Sequence, residues 1–162
     1  DVDEFALKML GKYADKEFRN VSDEALDIAS EEEKAALKEK NESAEDMLKF
    51  IKEEISEVNE VRFTASLASH AVCLTTEGEL SVEMEKTLKR MPGENAGVPK
   101  ASVVLEINHS HPIAEKLNSL YETDKDTLKK YARILYSTAC LISGVALEKP
   151  AELSALITDL LV

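Results

Sequence analysis

Residues 102–113 read SVVLEINHSHPI, and this stretch decides the fold. Its first six residues are mostly apolar and include β-branched side chains, which predicts a strand buried on both faces. Pro112 then stands where a helix would begin, because its fixed φ angle suits the first helical turn. The stretch therefore predicts a buried strand that is followed at once by a helix.

The sequence before this stretch adds two more strands and a helix. Residues 61–65 alternate between apolar and polar side chains, and residues 71–75 form another short β-type run. Ser30 and Glu33 have the spacing of a capping box, which predicts a long helix reaching to about Val58. We therefore expect an α+β fold, in which a small sheet of about three strands is flanked by helices.

The start of the chain looks like a separate piece. Apolar spacing predicts a short helix over residues 3–13, and an extended segment follows over residues 16–21. The charge-rich run of residues 23–41 is the best candidate for a boundary. We accordingly divide the chain into residues 1–29, a remnant of a preceding domain, and residues 30–162, the main domain.

The C-terminal part is predicted to be helical over residues 111–121, 124–143 and 150–162. Residues 131–142 are apolar most of the way around the helix, so this segment must be covered on several sides. Two such helices, doubled by a two-fold axis, would form a four-helix bundle between two copies of the chain. They could equally pack on the sheet of their own chain, and the pattern does not decide between the two.

Charge and cysteine content argue against several classes of partner. The 162 residues carry a formal net charge of −12, whereas phosphate binding needs clustered Lys and Arg, so we expect neither nucleic acid nor an anionic membrane as a partner. No apolar run approaches the roughly 18 residues of a membrane span.

Cys73 and Cys140 each lie inside an apolar run, which indicates free, buried thiols in a reducing, cytoplasmic compartment.

No stretch of the sequence has a pattern typical of a catalytic centre. The five glycines do not form a phosphate-binding loop, and there is no nucleophile-elbow motif. His109 and His111 have the spacing of two ligands on one side of an extended segment. Zinc needs three or four ligands, however, and nothing in the spacing supplies a third. We therefore predict no catalytic, cofactor-binding or metal-binding residue in this chain.

A stripe of flexible apolar side chains marks the predicted helix over residues 81–91. Met84, Leu88 and Met91 fall on one side of this helix. Met-rich stripes suit adaptable binding surfaces, because the thioether side chain is flexible and polarisable. Core packing explains the same stripe, so the pattern alone leaves both roles open.

Several separated motifs resemble the ninety-kilodalton heat-shock chaperones. Leu105–Ile113 resembles the family's L-E-I-N-P-D-H-P-I segment, with His109 and Ser110 in place of Pro and Asp. Further matches occur in the family's order at Asp3–Phe5, residues 16–21, Ser81 with Met84 and Glu85, Leu135–Leu141 with Gly144, and Leu147–Pro150. The acidic tail peptide of eukaryotic cytosolic members is absent after Val162, which favours a bacterial member or a shortened chain.

The resemblance implies that the chain is the C-terminal dimerisation domain of such a chaperone, preceded by the end of its middle domain. In that family ATP and Mg²⁺ bind an N-terminal domain that this chain lacks. We therefore do not expect the fragment to be an enzyme, although the full-length protein is expected to be an ATPase. The implied partners are a second copy of the chain and unfolded client proteins in the cytoplasm.

The resemblance also implies two sets of contact residues. An exposed amphipathic helix would contact clients through Met84, Leu88 and Met91. The last two helices would form the homodimer interface through Leu128, Ile134, Leu135, Thr138, Leu141, Ile142, Leu153, Leu156, Ile157 and Leu160. The alternative is a monomeric protein-interaction adaptor with no chaperone role, whose terminal helices pack on its own sheet.

Overall fold

The computed structural model of the chain describes residues 6–7, 9–18, 31–77, 84, 101–147 and 149–161. Two compact units divide the chain, namely residues 1–27 with 75–103, and residues 28–74 with 104–162. The described residues contain five helices with defined bounds and two small sheets, which confirms the predicted α+β class. The division between residues 29 and 30 stays a prediction.

The first predicted helix ends earlier than expected, at Gly11. The described residues before Gly11 are helical, and Gly11 has a φ angle of +65° while its N–H donates to the carbonyl oxygen of Leu7 at 3.0 Å. Glycine adopts this left-handed conformation at no steric cost, so it can terminate a helix. Tyr13, which we predicted to be helical, lies in a strand instead.

A short antiparallel hairpin follows, made of β1 (Lys12–Tyr13) and β2 (Lys16–Glu17). The two residues between the strands, Ala14 and Asp15, both have positive φ angles, 49° and 62°. Two left-handed residues are typical of a type I′ turn, which usually selects Asn and Gly. The start of the predicted extended segment at residues 16–21 is confirmed by β2, and residues 19–21 lie outside the described part of the chain.

The larger sheet contains three strands at the predicted positions, within two residues at each end. They are β3 (Glu60–Thr64), β4 (Val72–Glu77) and β5 (Ser102–Asn108), in the spatial order β3-β5-β4. β3 and β5 run parallel, with Val61 opposite Leu105. β5 is paired along both edges, and its residues 104–108 are all buried, in keeping with its nearly continuous apolar sequence.

The long helix predicted from Ser30 to Val58 is two helices, α1 (Glu31–Ser43) and α2 (Glu45–Glu54). They are separated at Ala44, whose φ and ψ angles of −102° and 8° depart from helical values. Beyond α2 the backbone leaves the helix, although Ile55 and Val58 remain buried. The apolar spacing therefore predicted the burial of Ile55 and Val58 correctly, but it predicted too long a helix.

Asn41, close to the break between α1 and α2, fastens the end of α1 to β3. Its Oδ1 accepts the N–H of Phe63 at 2.8 Å, and its Nδ2 donates to the carbonyl oxygen of Phe63 at 3.1 Å. Ser43 additionally donates its hydroxyl to the carbonyl oxygen of Lys40 at 2.9 Å. Side chains that bond to backbone groups in this way compete with the helical ladder. The end of α1 is thus fastened to the outer edge of β3.

The core forms between one face of the three-stranded sheet and the helices. Alternate residues of the parallel strands share a face, and α2 packs against β3 on that side. The side chains that fill this region are almost completely buried: Met47, Leu48, Ile51, Val61, Phe63, Leu105 and Ile107. Apolar burial of this kind is the main favourable term in folding.

Three helices complete the described chain: α3 (Pro112–Thr123), α4 (Lys125–Ile142) and α5 (Pro150–Leu161). They lie within two residues of the predicted bounds. The ring of His111 accepts the N–H of Ile113 at 3.1 Å and caps α3, and Asp124 accepts the N–H of Thr127 at 3.0 Å and caps α4. No described helix combines the length and apolar character that crossing a bilayer requires.

Asn108 holds the turn between β5 and α3 in place. Its Nδ2 donates to the carbonyl oxygens of Leu67 and His70 at 3.0 and 3.1 Å, and its Oδ1 accepts the N–H of Ser110 at 3.0 Å. Only 3% of the residue is exposed, so these bonds satisfy a buried amide that would otherwise be costly. Asn108, within the 102–113 stretch, therefore fixes two loops at once.

Candidate interaction surface

The terminal helix pair leaves large apolar side chains in solvent. Leu141 and Ile142 end α4, while Ile157, Leu160 and Leu161 lie on α5, and all five are exposed. We call these five residues the terminal apolar surface. Leu141 is 60% exposed and Leu161 is 80% exposed. Exposed apolar side chains of this size make the two helices candidates for an interaction site.

α5 is only partly packed within a single chain. It has no buried residue, and its described contacts are made chiefly with α4. Leu153 and Leu156 are half-buried on the side facing α4, whereas Ile157 and Leu160 are exposed. A helix that is apolar yet unburied lacks the packing that normally stabilises a short helix.

α4 has an inner face that belongs to the core of its own chain. Leu128, Ala132, Leu135 and Ala139 recur at helical spacing, and all four are buried. α4 packs on α2 and α3 along this face. Leu128 and Leu135, which we predicted at a dimer interface, are therefore core residues, because their side chains have almost no free surface in a single chain.

The remaining predicted interface residues have at least part of their surface free. Ile134 and Thr138 on α4 are half-buried, and the hydroxyl of Thr138 donates to the carbonyl oxygen of Ile134 at 2.8 Å. The predicted set omitted Leu161, the most exposed apolar residue described on α5. Its spacing of four from Ile157 places both on one side of the helix, and that signal was available in the sequence.

Polar contacts join α4 to the end of α2 and to α5. Arg133 forms ion pairs with Glu54 at 3.3 Å and with Glu57 at 3.0 Å, which ties α4 to the end of α2. Lys130 contacts Asp159 of α5 at 3.2 Å. A cavity of about 190 Å³ lies between α4 and α5, lined among others by Tyr136, Cys140, Leu153 and Leu156. The side chains of α4 and α5 thus fill only part of the space between the two helices.

A second polar cluster lies on the opposite face of the three-stranded sheet from the apolar core. The Nη2 of Arg62 lies 2.7 Å from Glu106 Oε1, and the Sγ of Cys73 donates to Glu106 Oε2 at 3.8 Å. Burial raises the pKa of the Cys73 thiol to about 12, and the negative charge of Glu106 adds to this rise. The thiol therefore stays protonated at neutral pH and is a poor nucleophile.

The histidines of the 109–111 segment have structural partners. His111 caps α3, which is the turn-and-cap role that its position suggests, and the His109 ring lies 3.1 Å from the Ser110 hydroxyl. Among the described residues, no group of three or more His, Cys, Asp or Glu side chains is arranged to hold a metal ion.

Only one member of the predicted client-contacting stripe lies in the described part of the chain. Met84 is helical, and 8% of its surface is exposed. Leu88 and Met91 lie outside the described residues. The stripe as a contact surface therefore stays a prediction, and Met84 by itself is buried.

Comparison with known proteins gives a consistent result. A family model described as Hsp90 protein matches residues 1–162. The chain is 46% identical over 153 residues to a chaperone protein HtpG of Clostridium acetobutylicum and 45% identical over 154 residues to one of Natranaerobius thermophilus. A chaperone protein HtpG of Halalkalibacterium halodurans is 44% identical over 156 residues. Each match covers 94–95% of the chain but 24% of the relative, so the chain spans about a quarter of their length.

Proposed function

Because the chain belongs to the Hsp90 protein family, we propose that it is the C-terminal dimerisation segment of a bacterial ATP-dependent chaperone. The observation that carries this proposal is the terminal apolar surface, which a single chain leaves in water. In this proposal α4 and α5 pair with their copies around a two-fold axis as a four-helix bundle. The function of the segment is then to hold two chaperone protomers together at one end.

Packing on the terminal helices supports pairing over an isolated protomer. α5 has no buried residue of its own, and burying a Leu or Ile side chain completely contributes about 1.5–3 kcal/mol. A second copy would cover Leu160, Leu161 and their neighbours with surface of the same kind, as an isologous interface requires. The interface we propose comprises Ile134, Thr138, Leu141, Ile142, Leu153, Leu156, Ile157, Leu160 and Leu161.

The oligomeric mass tests the proposal directly. We expect light scattering at micromolar concentration to give about twice the 17.9 kDa mass of one chain. Leu160→Asp should halve that mass, since an unpaired charge is costly in a dry helix interface. Ala155→Asp is the matched control, because Ala155 is exposed on the other side of the same helix and accepts the same charge. A monomeric mass for the unaltered chain would instead favour the adaptor hypothesis.

Client binding is the second part of the proposal. We assign it to the helix that the sequence predicts over residues 81–91. The buried Met84 would anchor this helix, and Leu88 and Met91 would contact unfolded proteins through flexible apolar surface. Leu88→Ser should weaken suppression of client aggregation several-fold without changing the unfolding midpoint. Met84→Ser should lower the midpoint, because it removes buried apolar volume. A loss of several kcal/mol of stability in Leu88→Ser would contradict the contact role.

Nucleotide chemistry belongs, in this proposal, to parts of the longer protein that lie outside these residues. ATP and Mg²⁺ would bind there. The segment would hold the protomers together during the ATP hydrolysis cycle and would not itself hydrolyse ATP. An ATPase assay on residues 1–162 should therefore give no turnover above the buffer blank. The two cysteines are free, as a protein of the reducing cytoplasm would have them.

A further inference from the structure

The space between α4 and α5 is a cavity that one chain forms by itself. Its volume is about 190 Å³, and the residues that line it belong to the unit made of residues 28–74 and 104–162. An engineered protein cavity of about 150 Å³ holds a benzene ring. The cavity between α4 and α5 is therefore large enough for one aromatic ring with a small substituent.

A separate side of α4 faces this cavity. Arg133, Tyr136, Ser137 and Cys140 line it together, and their spacings of three and four place them on one side of a helix. They differ from the four core residues of the inner face and from the residues that α4 adds to the terminal apolar surface. The side chains of Ser137 and Cys140 are small, which leaves room between the two helices.

The backbone at the end of α4 fixes one wall of the cavity. Gly144 has a φ angle of +65°, and its N–H donates to the carbonyl oxygen of Leu141 at 3.3 Å, while Val145 donates its N–H to the carbonyl oxygen of Cys140 at 2.8 Å. These two bonds form a Schellman motif, which needs a left-handed residue such as glycine. The motif turns the chain so that residues 145–147 line the cavity, and the wall is thus in place before any ligand binds.

Four charged side chains line the cavity, and they form two ion pairs among themselves. Arg133 contacts Glu57 at 3.0 Å, and Lys149 contacts Glu152 at 3.6 Å. A charged ligand would bring an unbalanced charge out of water into a site whose own charges are already paired, which is unfavourable. The lining therefore favours a ligand without charge.

The uncharged part of the lining is amphipathic. Tyr136 and Ser137 carry hydroxyl groups, which can both donate and accept hydrogen bonds. Leu153 and Leu156 on α5 are half-buried and line the cavity from the other side. An aromatic ring against these two leucines removes apolar surface from water, which is favourable. Because α5 has no buried residue, such a ligand also braces α5 against α4.

We propose that the cavity between α4 and α5 is a binding site for a small, uncharged aromatic molecule with a hydroxyl group, of which phenol is the simplest example. The ring lies against Leu153 and Leu156, and the hydroxyl group bonds to Tyr136 or Ser137. The proposal does not rest on dimerisation, because residues of a single chain form the cavity. A ligand with so few atoms binds weakly, with a dissociation constant on the order of 1 mM.

Methyl NMR of the 162-residue chain during a phenol titration tests the site. The methyl signals of Val145, Leu153 and Leu156 should shift and saturate together. Those of Leu117, which is fully buried elsewhere, should stay in place. Benzoate has the same ring with a negative charge and should bind about tenfold more weakly than phenol. Shifts that do not saturate, shifts confined to other methyl groups, or equal binding of benzoate would overturn the proposal.

Filling the cavity is the second measurement. Ser137→Leu should weaken phenol binding by about tenfold or more, because the larger side chain occupies the space that the ring needs. Ser119→Leu is the matched control, since Ser119 is exposed on α3, and this variant should bind phenol like the unaltered chain. Unchanged binding by a folded Ser137→Leu variant would contradict the assignment. The titration of the unaltered chain decides the question if Ser137→Leu does not fold.

Side chains of a second copy are the competing occupant of the cavity. Leu160→Asp separates the two copies in the proposed dimer, and Leu160 is not among the described residues that line the cavity. Phenol should bind equally to the unaltered chain and to this variant. Binding by Leu160→Asp alone would show that a second copy fills the cavity, and it would overturn the proposal. A monomeric mass for the unaltered chain would contradict the proposed dimer and leave the phenol titration fully informative.

Discussion

Glu106 shows how a single carboxylate is kept inside the sheet. Its Oε1 bonds to Arg62 and its Oε2 to Cys73, which lie on the two neighbouring strands. A buried ion pair contributes little net stability but is costly to break from one side. Arg62 and Glu106 are 44 positions apart and meet only through the register of β3 and β5, so the sequence pattern did not reveal this cluster.

The raised pKa of Cys73 predicts a loss of stability in alkali. An unfolded thiol ionises near its ordinary pKa of 9.0, whereas the folded thiol holds its proton to about 12. Between these values the unfolded chain has released a proton that the folded chain retains, so rising pH favours unfolding. The contribution is complete below pH 9 and declines toward pH 12.

Urea denaturation at pH 8 and at pH 10.5 measures this loss. Cys73→Ala should lose less stability between the two pH values than the unaltered chain does, because no thiol remains to ionise. Equal losses in the two proteins would contradict the assignment of alkaline sensitivity to Cys73.

At the level of elements, Asn41 acts as a short substitute for a neighbouring strand. It bonds both the N–H and the carbonyl oxygen of Phe63 on the outer edge of β3. Unpaired strand edges are prone to pair with other chains. The end of α1 therefore protects this edge at Phe63.

Asn41→Ala should destabilise the protein by about 1–3 kcal/mol, because the buried backbone groups of Phe63 lose their partners. Hydrogen exchange at the Phe63 amide should accelerate at the same time. Asn41→Asp is the matched comparison, since it keeps an acceptor for the Phe63 N–H but replaces the donor with a carboxylate oxygen that repels the Phe63 carbonyl oxygen. Its amide exchange should therefore lie between those of the unaltered chain and Asn41→Ala.

The sequence patterns located most helices and strands but not the contacts found where some of them end. The three strands of the larger sheet and the last three helices follow from apolar periodicity, because burial is periodic along a strand or helix. Asn41, close to the break between α1 and α2, bonds to Phe63, which lies 22 positions beyond it. The β1–β2 hairpin was missed because Ala14 and Asp15 are not typical turn residues. A local sequence pattern cannot predict a contact between distant residues such as that of Asn41 with Phe63.

At the level of the whole molecule, the proposed dimer divides α4 between two tasks. Its inner face, including Leu128 and Leu135, packs on its own chain, and its last turn adds Leu141 and Ile142 to the terminal apolar surface. The sequence indicated that α4 is apolar most of the way round, but it did not separate core residues from exposed ones. That separation needs the positions of α2 and α3.

Dimerisation of this kind predicts that thermal stability depends on protein concentration. Assembly stabilises the folded state by mass action, so the melting temperature of the 162-residue chain should rise between 1 and about 100 µM. Leu160→Asp should show no such rise, and Ala155→Asp should behave like the unaltered chain. A melting temperature that is independent of concentration in the unaltered chain would contradict a dimer linked to folding.

The Lys130–Asp159 contact between α4 and α5 also makes the last helix responsive to ionic strength. The side chains of Lys130 and Asp159 are 40% and 61% exposed. Dissolved salt screens exposed charges that lie further apart than roughly 10 Å at 0.1 M, and it weakens closer pairs less. Two copies of a chain with a net charge of −12 repel one another over such longer distances. Added salt should therefore loosen α5 slightly within one protomer while bringing two protomers together more readily.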